Sequence, residues 1–397
     1  MQVESMPLIT DPTAVLVYLV SIIGLIYYVR EQPWATRLFD VIPPVIWVYF
    51  LPMISTTLGI TPDASELYGW VKNYLLPAAL LLLLLSADMK AISKLGPKAL
   101  GTMFAGTLGI VLGGVISLAL FGAWLPEDAW QGMGALSGSW IGGSTNMVGI
   151  GTSIGVRDEL FGVMIIVDTI VGYGWMGIVI FISAFQSRLD KWNGVTSSPV
   201  AELSDHIANS DKNKPEPLSF PSLIFMLVIG LGLGYFSLEA GKFLPDLGKV
   251  VTSFGWTVIL VSVMGLGLSF TPVARLENRG ASHLGNFFLY LLLATIGAKA
   301  DLRAITEAPM FLVVGVVWIA VHATVLFSVG RMLKAPMFLI ATSSQANIGG
   351  VVSAPIVASV YQKGMAPVGL LMGVLGNILG LYFGFLTAQL MEWVSRI

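Results

Sequence analysis

Two short polar segments interrupt an otherwise apolar sequence, and each contains a Gly-Gly pair. The first, Ser137 to Asn146, reads SGSWIGGSTN, and the second, Thr342 to Gly350, reads TSSQANIGG. Paired glycines permit a tight turn and let a ligand approach the backbone closely. The neighbouring hydroxyl and amide groups can coordinate a cation or donate hydrogen bonds to a carboxylate. A helix that begins after such a turn presents free N–H groups, which favour an anion.

We therefore predict that both segments bind a small solute. The predicted solute-binding residues are Ser137, Ser139, Gly142, Gly143, Ser144, Thr145, Asn146, Ser344, Gln345, Asn347, Gly349 and Gly350. Helix packing is the alternative interpretation, because Gly, Ser and Thr are enriched where membrane helices meet. That alternative fits other small residues of the chain, namely Gly109, Gly113, Gly114, Gly230, Gly232 and Gly234. The recurrence of a polar Gly-Gly segment favours binding at the two segments themselves.

Asp168 is the one carboxylate well inside an apolar stretch, at a depth of ~12 Å along a helix. A carboxylate inside a membrane is costly and is a functional candidate by default. It could carry a proton or, when ionised, bind Na⁺. We predict that it forms a cation-coupling site with Thr169, Asn377, Thr342 and Ser343, in which Asn377 supplies a polar ligand or caps opened backbone. The alternative is a structural acceptor for backbone N–H groups of the first segment.

The composition places these residues in a membrane protein. Of 397 residues, 55% are hydrophobic and 11% are charged, against about a quarter charged in soluble domains. This excludes a soluble enzyme and a disordered chain, and the net charge of -2 argues against nucleic acid as a partner. The absence of cysteine excludes disulfides, thiolate metal sites and thiol catalysis. The predicted membrane-crossing stretches are 13–29, 38–60, 70–87, 99–125, 160–185, 218–236, 250–273, 284–298, 309–333 and 367–393.

Short sequence matches recur in the same order in both halves and predict a duplication. Ala87-Asp88 matches Ala300-Asp301, the Gly-Gly segments match each other, and TIVG at 169–172 matches NILG at 377–380. We predict an all-α polytopic membrane protein with two inverted repeats, each of five transmembrane helices plus one broken or re-entrant helical hairpin. The predicted parts are an N-terminal tail (1–12), a first repeat (13–185), a polar cytoplasmic linker (186–217) and a second, inverted repeat (218–397).

The distribution of Lys and Arg favours re-entrant hairpins at the two polar segments. If both segments re-enter, two thirds of the 21 basic residues share one side; if both cross, the residues divide almost evenly. The shared side would hold Arg30, Arg37, Lys90, Lys94, Lys98, Arg188, Lys191, Lys212, Lys214, Arg275, Arg279, Arg331, Lys334 and Lys363. Because cytoplasmic loops are enriched in basic residues, we expect hairpins and an amino end outside the cell. Discontinuous helices that cross the membrane are the alternative.

With both Gly-Gly segments in place, the chain resembles a multi-pass membrane family defined by a domain of unknown function. Its features look like those of the cation:proton antiporter and anion transporter superfamily. The resemblance covers nearly the whole chain apart from 1–12 and 187–217. Glutamate:sodium and citrate:sodium symporters have inverted repeats of five helices plus a re-entrant loop with a Gly-Gly motif, and Gly142-Gly143 and Gly349-Gly350 stand where that motif would be.

The resemblance implies a homodimer in the cell (inner) membrane, with a fixed scaffold and a mobile domain that carries both hairpins and moves as an elevator. One departure concerns arginine. The two segments and the adjoining stretches contain Arg only at their ends, as Arg157 and Arg331. Since citrate-type symporters clamp their substrate with Arg, a smaller or singly charged anion, or a zwitterion, is favoured over a di- or tricarboxylate.

These observations predict a Na⁺- or H⁺-coupled secondary transporter of a small organic anion or amino-acid-like solute. No cofactor is expected beyond Na⁺ as the coupling ion near Asp168, and the expected partners are the lipid bilayer, the solute and a second copy of the chain. A cation/proton antiporter without an organic substrate is the alternative, although strong antiporters usually carry paired acidic residues and Asp168 is single.

Two further function classes are disfavoured by the sequence. Against an intramembrane enzyme, the chain has no Gly-Lys-Ser/Thr phosphate loop, no Gly-x-Gly-Asp protease signature and no cysteine, and Asp168 has no second intramembrane carboxylate to form a dyad. The duplicated polar tips favour alternating access over a passive channel. His322, in the middle of an apolar stretch, is either a proton relay or a packing residue.

Overall fold

The computed structural model describes residues 7–195, 216–300 and 308–396. Asp301, Lys212 and Lys214, discussed above, lie outside these residues. The fold is all-α, as predicted. Its helices are α1 (Pro12–Arg30), α2 (Thr36–Val41), α3 (Pro44–Thr57), α4 (Glu66–Trp70), α5 (Leu76–Leu84), α6 (Met89–Ser93), α7 (Gly96–Phe121), α8 (Ala129–Gly142), α9 (Ser144–Ile154), α10 (Asp158–Ile182), α11 (Gln186–Asn193), α12 (Phe220–Gly241), α13 (Ser253–Ser269), α14 (Ala281–Lys299), α15 (Ala308–Met332), α16 (Met337–Ile348), α17 (Gly350–Tyr361) and α18 (Ala366–Val394).

Eight helical stretches in the described part of the chain are long and apolar enough to cross a membrane, so the protein is a multi-pass membrane protein. They coincide with eight of the ten predicted stretches. Pro77 is the second residue of α5, which directly follows a π-helical turn at Val71–Leu75. Because proline lacks an N–H and its ring displaces the preceding turn, the α4–α5 stretch is distorted there without being ended.

The other two predicted stretches are not single helices. The stretch 38–60 is divided at Pro43-Pro44, so α3 has 14 residues and is too short to count as a full span. Within the stretch 250–273 the structure has the helix α13, which ends at Ser269. A 3₁₀ helix, Pro272–Arg279, follows it at an angle of 96°. In both places a proline begins the new helix, where its fixed φ is favourable and its missing N–H costs nothing. The predicted linker 186–217 also begins with a helix, α11.

The two polar segments form helical hairpins whose arms lie side by side. In the first, Gln131 Nε2 at the start of α8 donates to the carbonyl of Ile154 at the end of α9, at 3.1 Å. In the second, the N–H of Met337 at the start of α16 donates to Asp190 after α10, and Tyr361 at the end of α17 donates to Val179 near the end of α10 at 2.7 Å. The two hairpins therefore approach α10 from its opposite ends.

Following the helices from end to end defines two faces of the molecule. The Arg30 face contains Arg30, the end of α5, the start of α7, the open end of the second hairpin and the end of α10. The Asp158 face contains the start of α10, the open end of the first hairpin and the end of α14, where Lys299 pairs with Asp158 at 2.9 Å. The described contacts fit hairpins that return to the face from which they entered.

The helices form two groups. The hairpin group, α7–α10 and α15–α18, is packed around the two hairpins, with α7 against α15 and α8 against α18. The scaffold group, α1–α5 and α12–α14, packs together through α14 and α5. The groups meet mainly where α9 and α10 contact α5, α13 and α14. Small residues permit the close packing of α7 on α15, since a Cβ at Gly113 would lie 2.7 Å from the carbonyl oxygen of Trp318; the packing interpretation holds for this glycine.

Candidate functional site

The tips of the two hairpins touch near the middle of the hairpin group. Gly143 (φ 101°) forms the turn between α8 and α9, and Gly350 (φ 60°) begins α17. A Cβ at Gly350 would lie 3.6 Å from Cα of Gly143. No side chain caps α9 or α17, so two helix N-termini point from the tips. Gly142 packs against α18, because a Cβ there would lie 2.1 Å from the carbonyl oxygen of Gly376.

Asp168 lies on α10 beside the first tip. Ser139 Oγ donates to one carboxylate oxygen at 2.9 Å, and Trp140 Nε1 donates to the other at 2.8 Å. Trp140 is fully buried, and its ring packs edge-to-face on Trp318 with a centroid distance of 4.9 Å. The hairpin arm therefore fixes both oxygens of the carboxylate through side chains instead of backbone N–H groups.

A first cavity of about 230 Å³ brings both tips together with Asp168. The predicted residues that line it are Ser139, Gly143, Ser144, Asp168, Thr169, Gln345 and Gly349. Gln345 is 2% exposed, and its side-chain oxygen has no hydrogen-bond partner within the described residues. The cavity extends to Arg30, Pro43 and Pro44, so it leads to the Arg30 face.

A second cavity, of about 310 Å³, lies on the other side of the tips. Thr145, Asn146 and Asn377 line it with leucines of α5 and α18. Asn146 Nδ2 donates to the backbone carbonyl of Asn377 at 2.9 Å, which ties the first tip to α18. Because α18 is a continuous helix through Asn377, the prediction that Asn377 caps opened backbone is wrong. Its side chain is available as a polar lining group.

Five predicted residues are directed away from both cavities and are buried: Ser137, Thr342, Ser343, Ser344 and Asn347. Asn347 accepts a hydrogen bond from Thr107 at 2.9 Å, and Ser343 donates to Thr102 at 2.7 Å. These contacts attach α16 to α7. The structure therefore places this side of the second segment in helix packing rather than at a cavity.

The comparisons with known proteins identify a family and a relative that is a membrane protein. Residues 16–394 match the model of a family described as Protein of unknown function (DUF819). The chain belongs to this family. An uncharacterized membrane protein, YjcL of Bacillus subtilis (strain 168), is 25% identical over 345 residues, which cover 84% of this chain and 85% of the relative. Membership of the DUF819 family thus agrees with the predicted domain of unknown function.

His322 on α15 belongs to a closed hydrogen-bonded chain. Its Nδ1 lies 2.9 Å from the carbonyl oxygen of Gly106, which can only accept, so we assign the proton to Nδ1. Its Nε2 then accepts from Ser344 Oγ at 3.0 Å, and Ser344 accepts from Trp175 Nε1 at 2.8 Å. This geometry satisfies each group with a neutral imidazole and favours the packing interpretation of His322.

The sequence did not point to several residues that line the first cavity. Tyr27, Arg30 and Tyr290 come from α1 and α14, and Tyr173 lies on α10. Arg30 ends the first apolar stretch, where a basic residue ordinarily marks the membrane boundary. Nothing in its local sequence links it to Asp168, since their shared cavity depends on how α1 packs against α3 and α14.

Proposed function

We propose that this member of the DUF819 family is a secondary transporter, without enzymatic activity, for a small organic anion or amino-acid-like solute, coupled to Na⁺ or H⁺. The observation that carries the proposal is the meeting of both Gly-Gly tips and the Asp168 carboxylate at one cavity. In transporters built from inverted repeats, substrate and coupling ion bind near the midplane, where interrupted helices meet. An intramembrane carboxylate at such a junction is a coupling candidate.

Asp168 is the proposed cation site. A carboxylate has about four acceptor positions, and Ser139 and Trp140 occupy two of them. The unpartnered side-chain oxygen of Gln345 and the hydroxyl group of Ser144 line the same cavity and would supply further oxygen ligands for Na⁺. A proton on Asp168 would serve the same purpose without those ligands. The solute would bind at the N-termini of α9 and α17, whose free N–H groups favour an anionic group.

Alternating access would come from movement of the hairpin group against the scaffold group. Both cavities lead to the Arg30 face, whereas α9 packs against α5, α13 and α14 toward the Asp158 face. The proposed transporter is thus open toward the face predicted to be cytoplasmic. Coupling requires that the hairpin group moves only when the cation and the solute are both bound or both absent. Each ligand can shift the equilibrium between the state open toward the Arg30 face and the state open toward the Asp158 face only by its difference in affinity for the two.

We also propose that two copies associate in the cell membrane through their scaffold groups. Helices α1 and α12 are only 22% buried within one copy and carry large exposed apolar side chains, among them Leu25, Tyr28, Phe225 and Val228. Lipid or a second copy would cover this surface. Light scattering of the purified protein in detergent measures the number of copies.

The experiment that tests the transport proposal is thermal unfolding of the purified protein in Na⁺ or choline at two pH values. A ligand bound only by the folded state raises the melting temperature by mass action. We expect a Na⁺-specific increase that is lost in Asp168→Asn and kept in the matched control Asp246→Asn, whose carboxylate lies in an exposed loop. Uptake into proteoliposomes should show the same dependence.

The other outcomes decide between the readings of Asp168. An increase in melting temperature that depends on pH and on Asp168 but not on Na⁺ would indicate proton coupling and favour the antiporter alternative. Equal melting temperatures for the wild type and Asp168→Asn in every condition would remove Asp168 from the mechanism.

A further inference from the structure

Arg30 is an exposed residue that lines the first cavity, as Asp168 does. It is the last residue of α1, and its guanidinium carbon lies 5.9 Å from the ring centroid of Tyr27. The Tyr27 ring is 5.6 Å from the ring of Tyr290 on α14. All three side chains line the cavity that contains Asp168 and both tips, so two phenol groups and a guanidinium group share one wall.

The charges that line this cavity are Arg30 and Asp168, one of each sign. Asp168 is held by neutral donors from the first hairpin. Within the described residues no carboxylate forms an ion pair with Arg30. The guanidinium group therefore has its charge-assisted hydrogen-bonding capacity available to a ligand.

We propose that Arg30 is the specificity-determining residue for the solute and binds its carboxylate group. The inference rests on the transport function proposed above and deepens it, because it assigns the solute class as small monocarboxylates. A guanidinium group binds a carboxylate through two parallel hydrogen bonds. The tyrosine hydroxyl groups of the same wall can donate to the same anion.

Electrostatics and size both support this class. A cation at Asp168 and one carboxylate at Arg30 leave each charge of the cavity with a partner of opposite sign. A second carboxylate on the solute would have no basic partner among the lining residues. The volume of about 230 Å³ lies below the ~300–1,000 Å³ of sites for drug-sized ligands, so a small solute fits best.

The placement of Arg30 adds a dependence on conformation. Arg30 and Tyr290 belong to the scaffold group, whereas Asp168 and the tips belong to the hairpin group. A carboxylate bound to Arg30 would therefore contact both groups at once in the state that is open toward the Arg30 face. Movement of the hairpin group would separate the solute from Arg30 while it stays with the tips.

The test compares carboxylates with their uncharged amides. Thermal unfolding is measured with propionate or lactate against propionamide or lactamide, at constant Na⁺ and with chloride as the replacing anion. We expect the carboxylates alone to raise the melting temperature of the wild type. Arg30→Gln should weaken the apparent affinity by about tenfold or more, as loss of a charge-assisted pair requires. Arg30→Lys should fall between the two, because it keeps the charge and loses the bidentate geometry.

Arg37→Gln is the matched control, since Arg37 is exposed on the same face and does not line the cavity; it should behave as the wild type. Equal effects of carboxylates and amides, no effect of either, or unchanged affinity in Arg30→Gln would each overturn the assignment. The Na⁺ response of Arg30→Gln separates the two proposals. If it is kept while carboxylate binding is lost, Arg30 acts on the anion; if the wild type itself lacks any Asp168-dependent response, the proposed transport function fails.

Discussion

At the scale of single residues, the hydrogen bonds to Asp168 decide what its carboxylate can do. Ser139 and Trp140 hold the two oxygens from the same arm of the first hairpin. These donors orient the group but leave acceptor positions on both oxygens. Because the Asp168 side chain is already held in one orientation, binding a cation to its remaining lone pairs costs little further side-chain entropy.

Trp140→Phe tests this orienting role. The substitution removes the donor to Asp168 and keeps most of the ring packing against Trp318. We expect a lower melting temperature and a smaller Na⁺- or pH-dependent increase than in the wild type. Loss of a hydrogen bond to a charged group corresponds to about 1.5–3 kcal/mol.

Trp318→Phe is the control for the same aromatic pair. It removes the hydrogen bond from Trp318 Nε1 to the carbonyl of Ile110 at 2.7 Å and leaves both donors to Asp168 in place. We expect it to lower the melting temperature while the ion response stays at the wild-type size. A full ion response in Trp140→Phe would mean that Trp140 does not orient the cation site.

Single residues also show where sequence reasoning ends. Asp168 was identifiable because an isolated carboxylate within an apolar stretch is costly. Gln345 and Asn347 were predicted together, yet two residues along a helix are separated by about 200° around its axis. Only Gln345 faces the first cavity, while Asn347 faces α7. Their spacing can be read from the sequence, but which side of α16 faces the cavity depends on tertiary packing.

At the scale of secondary-structure elements, the two tips depend on residues that adopt positive φ. Gly350 has φ 60°, and a Cβ there would make only ordinary contacts with the first tip, the shortest at 3.6 Å. An L-residue in this conformation costs about 1–2 kcal/mol. Space at the tips is therefore sufficient for one methyl group, and backbone strain is the main expected penalty.

Gly350→Ala should lower the melting temperature and should also reduce the ligand-induced increase, because it changes the surface where the tips meet. Gly155→Ala is the matched control. Gly155 has φ 70° with open space around its Cβ position, at the far end of the first hairpin. Both variants should lose similar stability without ligand. Equal ligand responses in the two variants would show that the Gly350 tip is not part of the binding site.

The elements themselves were largely predictable. Eight apolar stretches became long helices because about 20 apolar residues leave a helix as the simplest way to satisfy the backbone within a membrane. The two failures, 38–60 and 250–273, each contain a proline that begins a new helix. Hydropathy averages over such a break and does not locate it, whereas the local conformation of proline does.

At the scale of the whole molecule, the charges agree with the hairpin arrangement. Among the described basic residues, the Arg30 face holds Arg30, Arg37, Lys90, Lys94, Lys98, Arg188, Lys191, Arg275, Arg279, Arg331, Lys334 and Lys363, and the Asp158 face holds Lys72, Arg157, Lys242, Lys249, Lys299 and Arg396. This bias favours a cytoplasmic Arg30 face. The orientation and the inverted duplication stay predictions, because helix order alone does not measure the symmetry between the halves.

The two helix groups are joined at the Asp158 face by a small set of polar contacts. Lys299 on α14 pairs with Asp158 on α10 at 2.9 Å, and Tyr49 on α3 donates to the backbone carbonyl of Asp158 at 2.6 Å. A cavity of about 410 Å³ surrounds this junction and is lined by Thr152 and Lys72. If the hairpin group moves as proposed, the ion pair must break when the Asp158 face opens.

Lys299→Met should therefore shift the equilibrium toward the state that is open at the Asp158 face. Since the chain has no cysteine, a single Thr152→Cys reports this opening through its rate of reaction with a maleimide in detergent. Partly exposed ion pairs contribute about 0.2–1 kcal/mol, so we expect the rate to rise by a factor of about 1.4 to 5. Lys242→Met removes an ion pair within one segment of the scaffold, with Glu239, and should leave the rate unchanged. Equal rates in Lys299→Met and Lys242→Met would show that the ion pair with Asp158 does not restrain the hairpin group, because of these two lysines only Lys299 connects the two groups.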